Sequence, residues 1–227
     1  MSINKRLVII CNSSGFHRVD ATNQGFNNTY LSNLRDIYDV KGFWVSSATV
    51  LHAKSSLRHY VCERDVILLH VGVSEAVTMA PRSFFHMASA FLNYFGATDD
   101  FMSFIAPKML EVSEYILEHG DDNYYCRFLD QTDFITLYSK MLAQVKHQKV
   151  LVLGLAEPKT DKPRMYEQIK EYNTLIEQVV VNGFSNHQFV DTWNICKGLV
   201  GDSSHLTTEG HNKLFDVVQS KLEDCYE

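Results

Sequence analysis

The sequence predicts a three-layer α/β/α sandwich built around a central, mostly parallel sheet of five strands. Three short apolar runs, at residues 6–11, 65–71 and 149–154, are rich in aliphatic residues and do not alternate with polar ones. Such runs are typical of parallel strands that are covered on both faces. Longer segments with helical spacing lie between them, and this alternation favours a parallel sheet with helices on both sides.

Two weaker strand candidates, at residues 42–45 and 187–190, complete the predicted sheet. Helices are predicted where apolar residues recur at intervals of three and four. The predicted helices span residues 28–39, 84–95, 103–118, 131–147, 164–182 and 207–222. In parallel sheets, ligands bind at the carboxyl ends of the strands, so we expect a functional site among the residues that directly follow them.

Composition and charge exclude several classes of function. The chain has 227 residues, 45% of them hydrophobic, and no Pro/Gly-rich linker, which indicates a single domain over residues 1–227. The net charge is -6 and no Lys/Arg run occurs, so we expect no nucleic-acid partner. No apolar stretch is long enough to span a bilayer, and the run at residues 7–10 is too short for the core of a signal peptide.

The five cysteines are widely scattered and include no Cys-x-x-Cys pair. This pattern indicates neither a zinc site nor a disulfide framework, so a reducing cytoplasm is the expected setting. Cys11 ends the first strand run and is expected to be buried rather than to act as a nucleophile. No His/Asp spacing suggests a metal cage, and no cofactor is expected.

The stretch from residue 201 to residue 211 carries the strongest chemical signal, because Asp202 and His205 directly precede the last predicted helix. A threonine at 207 or 208 is a suitable cap for that helix, which leaves His205 in the preceding loop. A serine nucleophile needs a base, and the base needs an orienting group. We therefore interpret Ser13, which follows the first strand, as the nucleophile, His205 as its base and Asp202 as the orienting carboxylate.

The remaining requirement of such a site is a set of donors aimed at the oxyanion that forms in the reaction. The backbone amides of Ser13 and Ser47 and the hydroxyl of Ser74 are the candidates. Ser47 follows the strand predicted near residues 42–45, and Ser74 follows the strand at 65–71. These positions meet at one edge of a parallel sheet.

The segment from Asp202 to His211 resembles the last conserved block of the SGNH (GDSL-type) hydrolases, in which Asp-x-x-His precedes a short run and a helix. Asn12-Ser13 after a strand resembles the Gly-Asp-Ser block, and the strand that leads to Gly72 resembles the approach to the family's Gly-x-Asn block. The resemblance follows nearly the whole chain in order. It implies a flavodoxin-like SGNH hydrolase fold and an activity on ester bonds.

The chain departs from this family at several positions. Cys11-Asn12 replaces the Gly-Asp before the nucleophile, the glycine of the second block falls at Ser46 or Ser47, and the oxyanion-hole asparagine falls at Ser74. Loss of one oxyanion donor lowers the rate by about a hundredfold, or roughly 3 kcal/mol. The segment at residues 72–82 resembles a divergent branch that accompanies bacterial surface-polysaccharide genes, which implies acyl groups, above all acetyl, on sugars.

The leading interpretation is a serine esterase that removes acyl groups from a carbohydrate ester. An O-acyltransferase on a surface-polysaccharide precursor would use the same residues, and an inactive carbohydrate-binding protein on the same fold is the other alternative. Ser14 is the alternative nucleophile if the alignment moves by one residue. Of the neighbouring polar residues, His70 is expected to be a core histidine and Glu75 a solvated or structural carboxylate.

Overall fold

The computed structural model gives a central parallel sheet with helices on both faces. It describes residues 5–12, 17–18, 24–25, 28–44, 48–77, 79–81, 125–127, 130–161, 163–201 and 205–226. The helices predicted at 84–95 and 103–118 lie outside these ranges.

The strands are numbered in chain order. They are β1 (Arg6–Cys11), β2 (His17–Arg18), β3 (Gln24–Gly25), β4 (Asp39–Trp44), β5 (Val66–His70), β6 (Met79–Pro81), β7 (Tyr125–Arg127), β8 (Lys149–Leu153) and β9 (His187–Val190). The central sheet has the order β4-β1-β5-β8-β9, and each neighbouring pair in it is parallel. This is the flavodoxin-like order, so the predicted fold class is confirmed. The pairs β2-β3 and β6-β7 form two small antiparallel two-stranded sheets that the sequence pattern did not predict.

The described helices are also numbered in chain order. They are α1 (Tyr30–Arg35), α2 (Val50–Tyr60), α3 (Val73–Val77), α4 (Gln131–Ala143), α5 (Pro163–Gly183), α6 (Thr192–Ile195) and α7 (Thr208–Tyr226). Helices α2, α4 and α5 cover one face of the sheet, whereas α1 and α7 cover the other.

Strand β1 shows why the apolar runs do not alternate with polar residues. Val8 and Ile10 belong to the core under α2, α4 and α5, whereas Leu7 and Ile9 belong to the core under α1 and α7. Successive side chains of a strand point to opposite faces, and here both faces are buried. Both sides of such a strand must therefore be apolar.

Most predicted bounds shift by a few residues, as for the helix predicted at 28–39, which spans Tyr30–Arg35, and two of the shifts have a clear physical reason. Strand β4 begins at Asp39 rather than near residue 42, and its charged residues Asp39 and Lys41 form an ion pair of 3.0 Å on the edge of the sheet. Edge strands commonly carry charges, which hide them from an apolar pattern. Helix α7 extends past residue 222 to Tyr226, whose Oη donates a hydrogen bond to the Arg6 carbonyl at 2.8 Å.

Helix α2 was not predicted. Its buried residues are Val50, Ala53, Ser56 and Leu57, and two of these four side chains are small, so the apolar spacing is weak. A capping box starts the helix instead: Thr49 Oγ1 accepts from the His52 backbone amide, and the His52 ring pairs with the Thr49 amide. Such a reciprocal cap provides hydrogen-bond acceptors for two backbone amides at the start of the helix.

Candidate active site

The predicted site residues divide into two groups. His205, Gly72 and Ser74 lie within the described residues. Ser13, its alternative Ser14, Ser46, Ser47 and Asp202 lie outside them. The described residues that flank these positions lie after β1, β4 and β5 and in the loop before α7, and they define the surroundings of the site.

The end of β1 is held between its neighbours. Cys11 is fully buried, as expected, and burial raises its thiol pKa well above the ordinary range. The next residue, Asn12, is also fully buried, and its backbone amide donates to the carbonyl of His70 at 3.0 Å. The chain thus remains bonded to β5 one residue beyond the end of β1, and Ser13 is the residue that follows.

Gly72 forms the turn that follows β5. Its φ is +126°, a conformation that residues with a side chain rarely adopt. A Cβ atom at this position would lie 2.9 Å from Cδ1 of Ile176 in α5. Only glycine allows the chain to turn this close to α5 and to start α3 directly after the strand.

Helix α3 connects the two segments that are expected to supply oxyanion donors. Ser74 is half-buried, and its Oγ donates to the Ala48 carbonyl at 3.4 Å. Glu75 is buried, and its Oε1 accepts from the Val50 backbone amide, the first of α2, at 2.5 Å. The segment directly after Ser47 is therefore held in place by the segment directly after Gly72.

Glu75 proves to be a structural carboxylate rather than a solvated one. Burial raises its pKa from 4.5 to about 7, and the hydrogen bond from the Val50 amide partly opposes this effect. Burial disfavours the charged form, whereas a donor at the start of a helix favours it. A protonation change at Glu75 near neutral pH thus acts directly on the start of α2.

His205 lies on the loop that joins α6 to α7. It is buried, and its backbone carbonyl accepts from the Gly201 amide at 2.9 Å, which closes the loop on itself. The next residue, Leu206, is packed in the core beneath α7 and pairs with Val200 in an isolated β-bridge. These contacts pair the backbone of Val200 and Gly201 with that of His205 and Leu206, the residues on either side of positions 202–204.

Thr207 starts the helix that follows His205, as the sequence predicted. Its Oγ1 accepts from the Gly210 amide at 3.1 Å and donates to the Leu199 carbonyl at 3.0 Å. The first contact is an N-cap, and the second joins the cap to the opposite side of the loop. The position of His205 is thereby coupled to the position of α7.

A buried polar group lies behind the end of β5, among the apolar residues under α1 and α7. His70 Nδ1 and Tyr30 Oη are 2.8 Å apart, and the Tyr30 ring also packs against the His211 ring at 5.7 Å between centroids. All three side chains are fully buried. Burial, and secondarily the nearby His211, lowers the pKa of His70 to about 3, so this histidine is neutral.

His70 is therefore a core histidine, as predicted, but its partner was not. A buried imidazole requires a hydrogen-bond partner, so the sequence signals that one exists. Tyr30 is 40 residues away along the chain and lies in another element. No local pattern identifies such a pair.

Two further features of the described residues bear on the kind of site. None of the helices in those ranges combines the length and the apolar character needed to cross a membrane. Among the same residues, no group of three or more His, Cys, Asp and Glu side chains is arranged to hold a metal ion.

Comparison with solved structures identifies the fold. A lipase/acylhydrolase from Enterococcus faecalis is 12% identical, with a TM-score of 0.60 over 97% of this chain and 96% of that chain. Est24, a carbohydrate acetylesterase from Sinorhizobium meliloti, is 14% identical, with a TM-score of 0.58 over 97% of this chain and 99% of that one. Axe2, an acetylxylan esterase from Geobacillus stearothermophilus, is 14% identical, with a TM-score of 0.56 over 95% and 93%.

Sequence comparisons give no counterpart to these structural likenesses, since neither a family model nor a curated protein matches the chain. The likeness of the structures nonetheless extends over nearly the full length of each pair. The strand order and these likenesses agree with the resemblance read from the sequence. The chain therefore has the fold of the SGNH (GDSL-type) hydrolases.

Proposed function

We propose that the protein is a serine esterase that removes acetyl groups from a carbohydrate, with Ser13 as nucleophile, His205 as base and Asp202 as the residue that orients the imidazole. The observation that carries this proposal is the placement of His205. The loop that carries His205 follows α6, and Leu206 anchors it in the core under α7. Strand β1 contributes to the same core, and the buried Asn12 directly follows that strand. Asn12 directly precedes the proposed nucleophile.

The proposed reaction proceeds in two halves. Ser13 Oγ attacks the carbonyl carbon of the acetyl ester as His205 takes its proton, and a tetrahedral oxyanion forms. The C–O bond to the sugar then breaks, and His205 donates the proton to the departing sugar oxygen. Water attacks the acetyl-enzyme with His205 again as base, which releases acetate and restores Ser13.

The oxyanion is proposed to accept from the backbone amides of Ser13 and Ser47 and from the hydroxyl of Ser74. The contacts of Ser74 and Glu75 with residues 48–50 support this arrangement, because they hold the segment next to Ser47 rigid. Donors that are fixed before the reaction stabilise the transition state without reorganisation. Gly72 supports it by allowing the turn that precedes Ser74.

The likeness to known esterases supports the substrate class. Est24 is a carbohydrate acetylesterase and Axe2 an acetylxylan esterase, so the fold is known to act on acetylated sugars. Axe2 also exists as a catalytic mutant in which a serine is replaced by alanine. A serine nucleophile and an acetylated carbohydrate are therefore the first possibilities to test in this chain.

The direct test is turnover of p-nitrophenyl acetate by wild type and by Ser13→Ala and His205→Ala. Loss of either residue is expected to lower kcat by about a thousandfold or more, because nucleophile and base act as a unit. Ser14→Ala is the matched control, since it removes a neighbouring hydroxyl and should leave the rate unchanged. Equal rates in all four proteins would overturn the proposal, and a loss in Ser14→Ala and His205→Ala but not in Ser13→Ala would move the nucleophile by one residue.

One observation favours a second candidate, a carbohydrate-binding protein without esterase activity. Ser74 stands where the related hydrolases have an asparagine, and its hydroxyl donates to Ala48 rather than standing ready for an oxyanion. A fluorophosphonate probe separates the two candidates. Covalent labelling that is lost in Ser13→Ala supports the esterase, whereas no labelling of a folded wild type supports the binding protein.

A further inference from the structure

Three half-buried side chains, Glu157, Tyr166 and Trp193, form a cluster that the proposed esterase reaction does not use. We call these three residues the aromatic rim. Glu157 follows β8, Trp193 lies in α6 directly after β9, and Tyr166 lies in the first turn of α5. Because parallel strands end at the same edge, the rim is on the edge of the sheet that holds Asn12 and Gly72.

The rim is held in one geometry by two contacts. Tyr166 Oη donates a hydrogen bond to Glu157 Oε1 at 2.8 Å. The rings of Tyr166 and Trp193 meet edge to face, with centroids 5.5 Å apart and planes at 76°. Trp193 also packs on the core beneath α5, which fixes it from below. An aromatic surface this constrained loses little freedom when a ligand binds to it.

The chemistry of the rim suits a sugar. Tyrosine and tryptophan offer apolar rings together with a polar atom, and both are common where a surface is partly wet. A sugar ring presents C–H groups that pack on such rings and hydroxyl groups that donate to a carboxylate. Glu157 supplies that carboxylate next to the rings, and charge-assisted hydrogen bonds of this kind are stronger than neutral ones.

The distance from the ester site indicates the length of the ligand. From β1 to β9 the sheet crosses three strand spacings, through β5 and β8. Each spacing is about 4.8 Å, so the ends of β1 and β9 are roughly 14 Å apart. That span exceeds a single monosaccharide and matches a short chain of sugars lying along the sheet edge.

We propose that Glu157, Tyr166 and Trp193 bind a neutral oligosaccharide, at a subsite several sugar units from the acetyl group that is removed. The substrate is accordingly a sugar chain rather than a single acetylated sugar. The inference rests on the proposed function for the identity of the ester. The binding itself does not require hydrolysis, so the two can fail separately.

Tryptophan offers a direct readout, because the chain contains only two such residues, Trp44 and Trp193. In protein labelled with ¹⁵N at the indole, each gives one NMR resonance, and Trp193→Leu assigns them. The Ser13→Ala variant is titrated with xylotetraose, cellotetraose and chitotetraose at millimolar concentrations. At least one is expected to shift the Trp193 resonance in a saturable manner.

Activity gives the second readout. Trp193→Leu and Tyr166→Leu keep an apolar side chain against the core but remove a ring, and each is expected to raise KM for an acetylated tetrasaccharide by about tenfold. Turnover of p-nitrophenyl acetate should be affected much less than that of the tetrasaccharide in both, because that ester is too short to reach the rim. Tyr60→Leu is the matched control, since Tyr60 is an exposed aromatic at the C-terminal end of α2, and its contact with Arg6 is through the backbone carbonyl, which the substitution keeps.

The outcomes separate the two proposals. A Trp193 resonance that does not move with any of the three sugars, in folded protein, overturns the rim as a sugar subsite. Rim variants that slow p-nitrophenyl acetate as much as the tetrasaccharide also overturn it, because they would indicate a structural role. If wild type hydrolyses no ester yet Trp193 still responds to a sugar, the esterase proposal fails and the subsite stands.

Discussion

Ser74 is the proposed side-chain donor to the oxyanion, and it lies within the described residues. The resemblance in sequence places its hydroxyl where the SGNH hydrolases have an asparagine amide. Its 3.4 Å contact with the Ala48 carbonyl is long for a hydrogen bond. Breaking so weak a hydrogen bond costs little free energy. The hydroxyl can therefore turn from Ala48 toward an oxyanion when substrate is bound.

Ser74→Ala tests this role. We expect kcat for p-nitrophenyl acetate to fall by about tenfold to a hundredfold with little change in KM, because the lost bond forms only in the transition state. Ser74→Thr keeps the hydroxyl and is expected to retain most of the rate. An unchanged kcat in Ser74→Ala would show that the oxyanion relies on other donors.

The turn between β5 and α3 depends on a different residue property, the absence of a side chain at Gly72. Gly72→Ala is expected to lower the free energy of unfolding by about 1–3 kcal/mol, since it combines a strained φ with a close contact. The contact is the 2.9 Å approach of the new Cβ to Ile176 Cδ1. Urea unfolding of the variant and of wild type measures the difference.

Gly183, the last residue of α5, is the matched control for that substitution. Nothing lies within 4 Å of a Cβ built there, and alanine is the better helix former. Gly183→Ala is therefore expected to leave the stability unchanged or to raise it by up to about 1 kcal/mol. A Gly72→Ala protein as stable as Gly183→Ala would contradict the role assigned to the turn.

The elements differ in how far their residues reveal them. Strands β1 and β9 were predicted with their observed bounds. For β1 the reason is that an apolar run buried on both faces ends where the burial ends. Helix α2 was missed, since small and polar side chains occupy its buried face. The connection between Glu75 and Val50 joins residues 25 positions apart, so no local pattern contains it.

At the scale of the whole molecule, two buried groups give the stability opposite dependences on pH. Glu75 has its pKa raised from 4.5 to about 7 in the folded protein. The folded state then holds an extra proton between these values, and stability falls as the pH rises through that window. His70 has its pKa lowered from 6.5 to about 3, so stability falls as the pH drops through that window.

The two effects oppose each other between pH 4.5 and 6.5, because in this range the folded and unfolded states differ in the protonation of both groups. Each is worth a few kcal/mol, as one pKa unit corresponds to about 1.4 kcal/mol. We expect the urea midpoint to be nearly level across this range, to fall below it because of His70 and to fall above it because of Glu75.

Glu75→Gln removes the contribution of the carboxyl and leaves that of the buried histidines, because burial lowers the pKa of His187 as well as that of His70. The amide oxygen still accepts from Val50, but the position no longer titrates, so the urea midpoint is expected to keep rising up to about pH 6.5 and to lose its decline near pH 7. Wild type measured in the same buffers is the reference. A variant whose pH profile matches that of wild type would contradict the assignment to Glu75.

The candidate site was read from the sequence mainly through the order of its blocks. His205 lies in the loop that precedes the last helix and Gly72 at the turn after β5, as that order predicts. The roles of Ser13, Ser47 and Asp202 remain predictions, because these residues lie outside the described ranges. Contacts such as that of Tyr30 with His70 depend on packing between elements that are distant in sequence, so the sequence alone does not predict them.

The bond between Tyr226 and the Arg6 carbonyl joins residues 220 positions apart, and it has a consequence for protein synthesis. While the ribosome still encloses residues 208–226, β1 is free to pair with β4 and β5, but the His205 loop has no helix behind it. Contacts of such long range form late in folding. A nascent chain from which α7 has not yet emerged would therefore carry an assembled sheet while the His205 loop is still unsupported, so the proposed site would be completed only after the sheet.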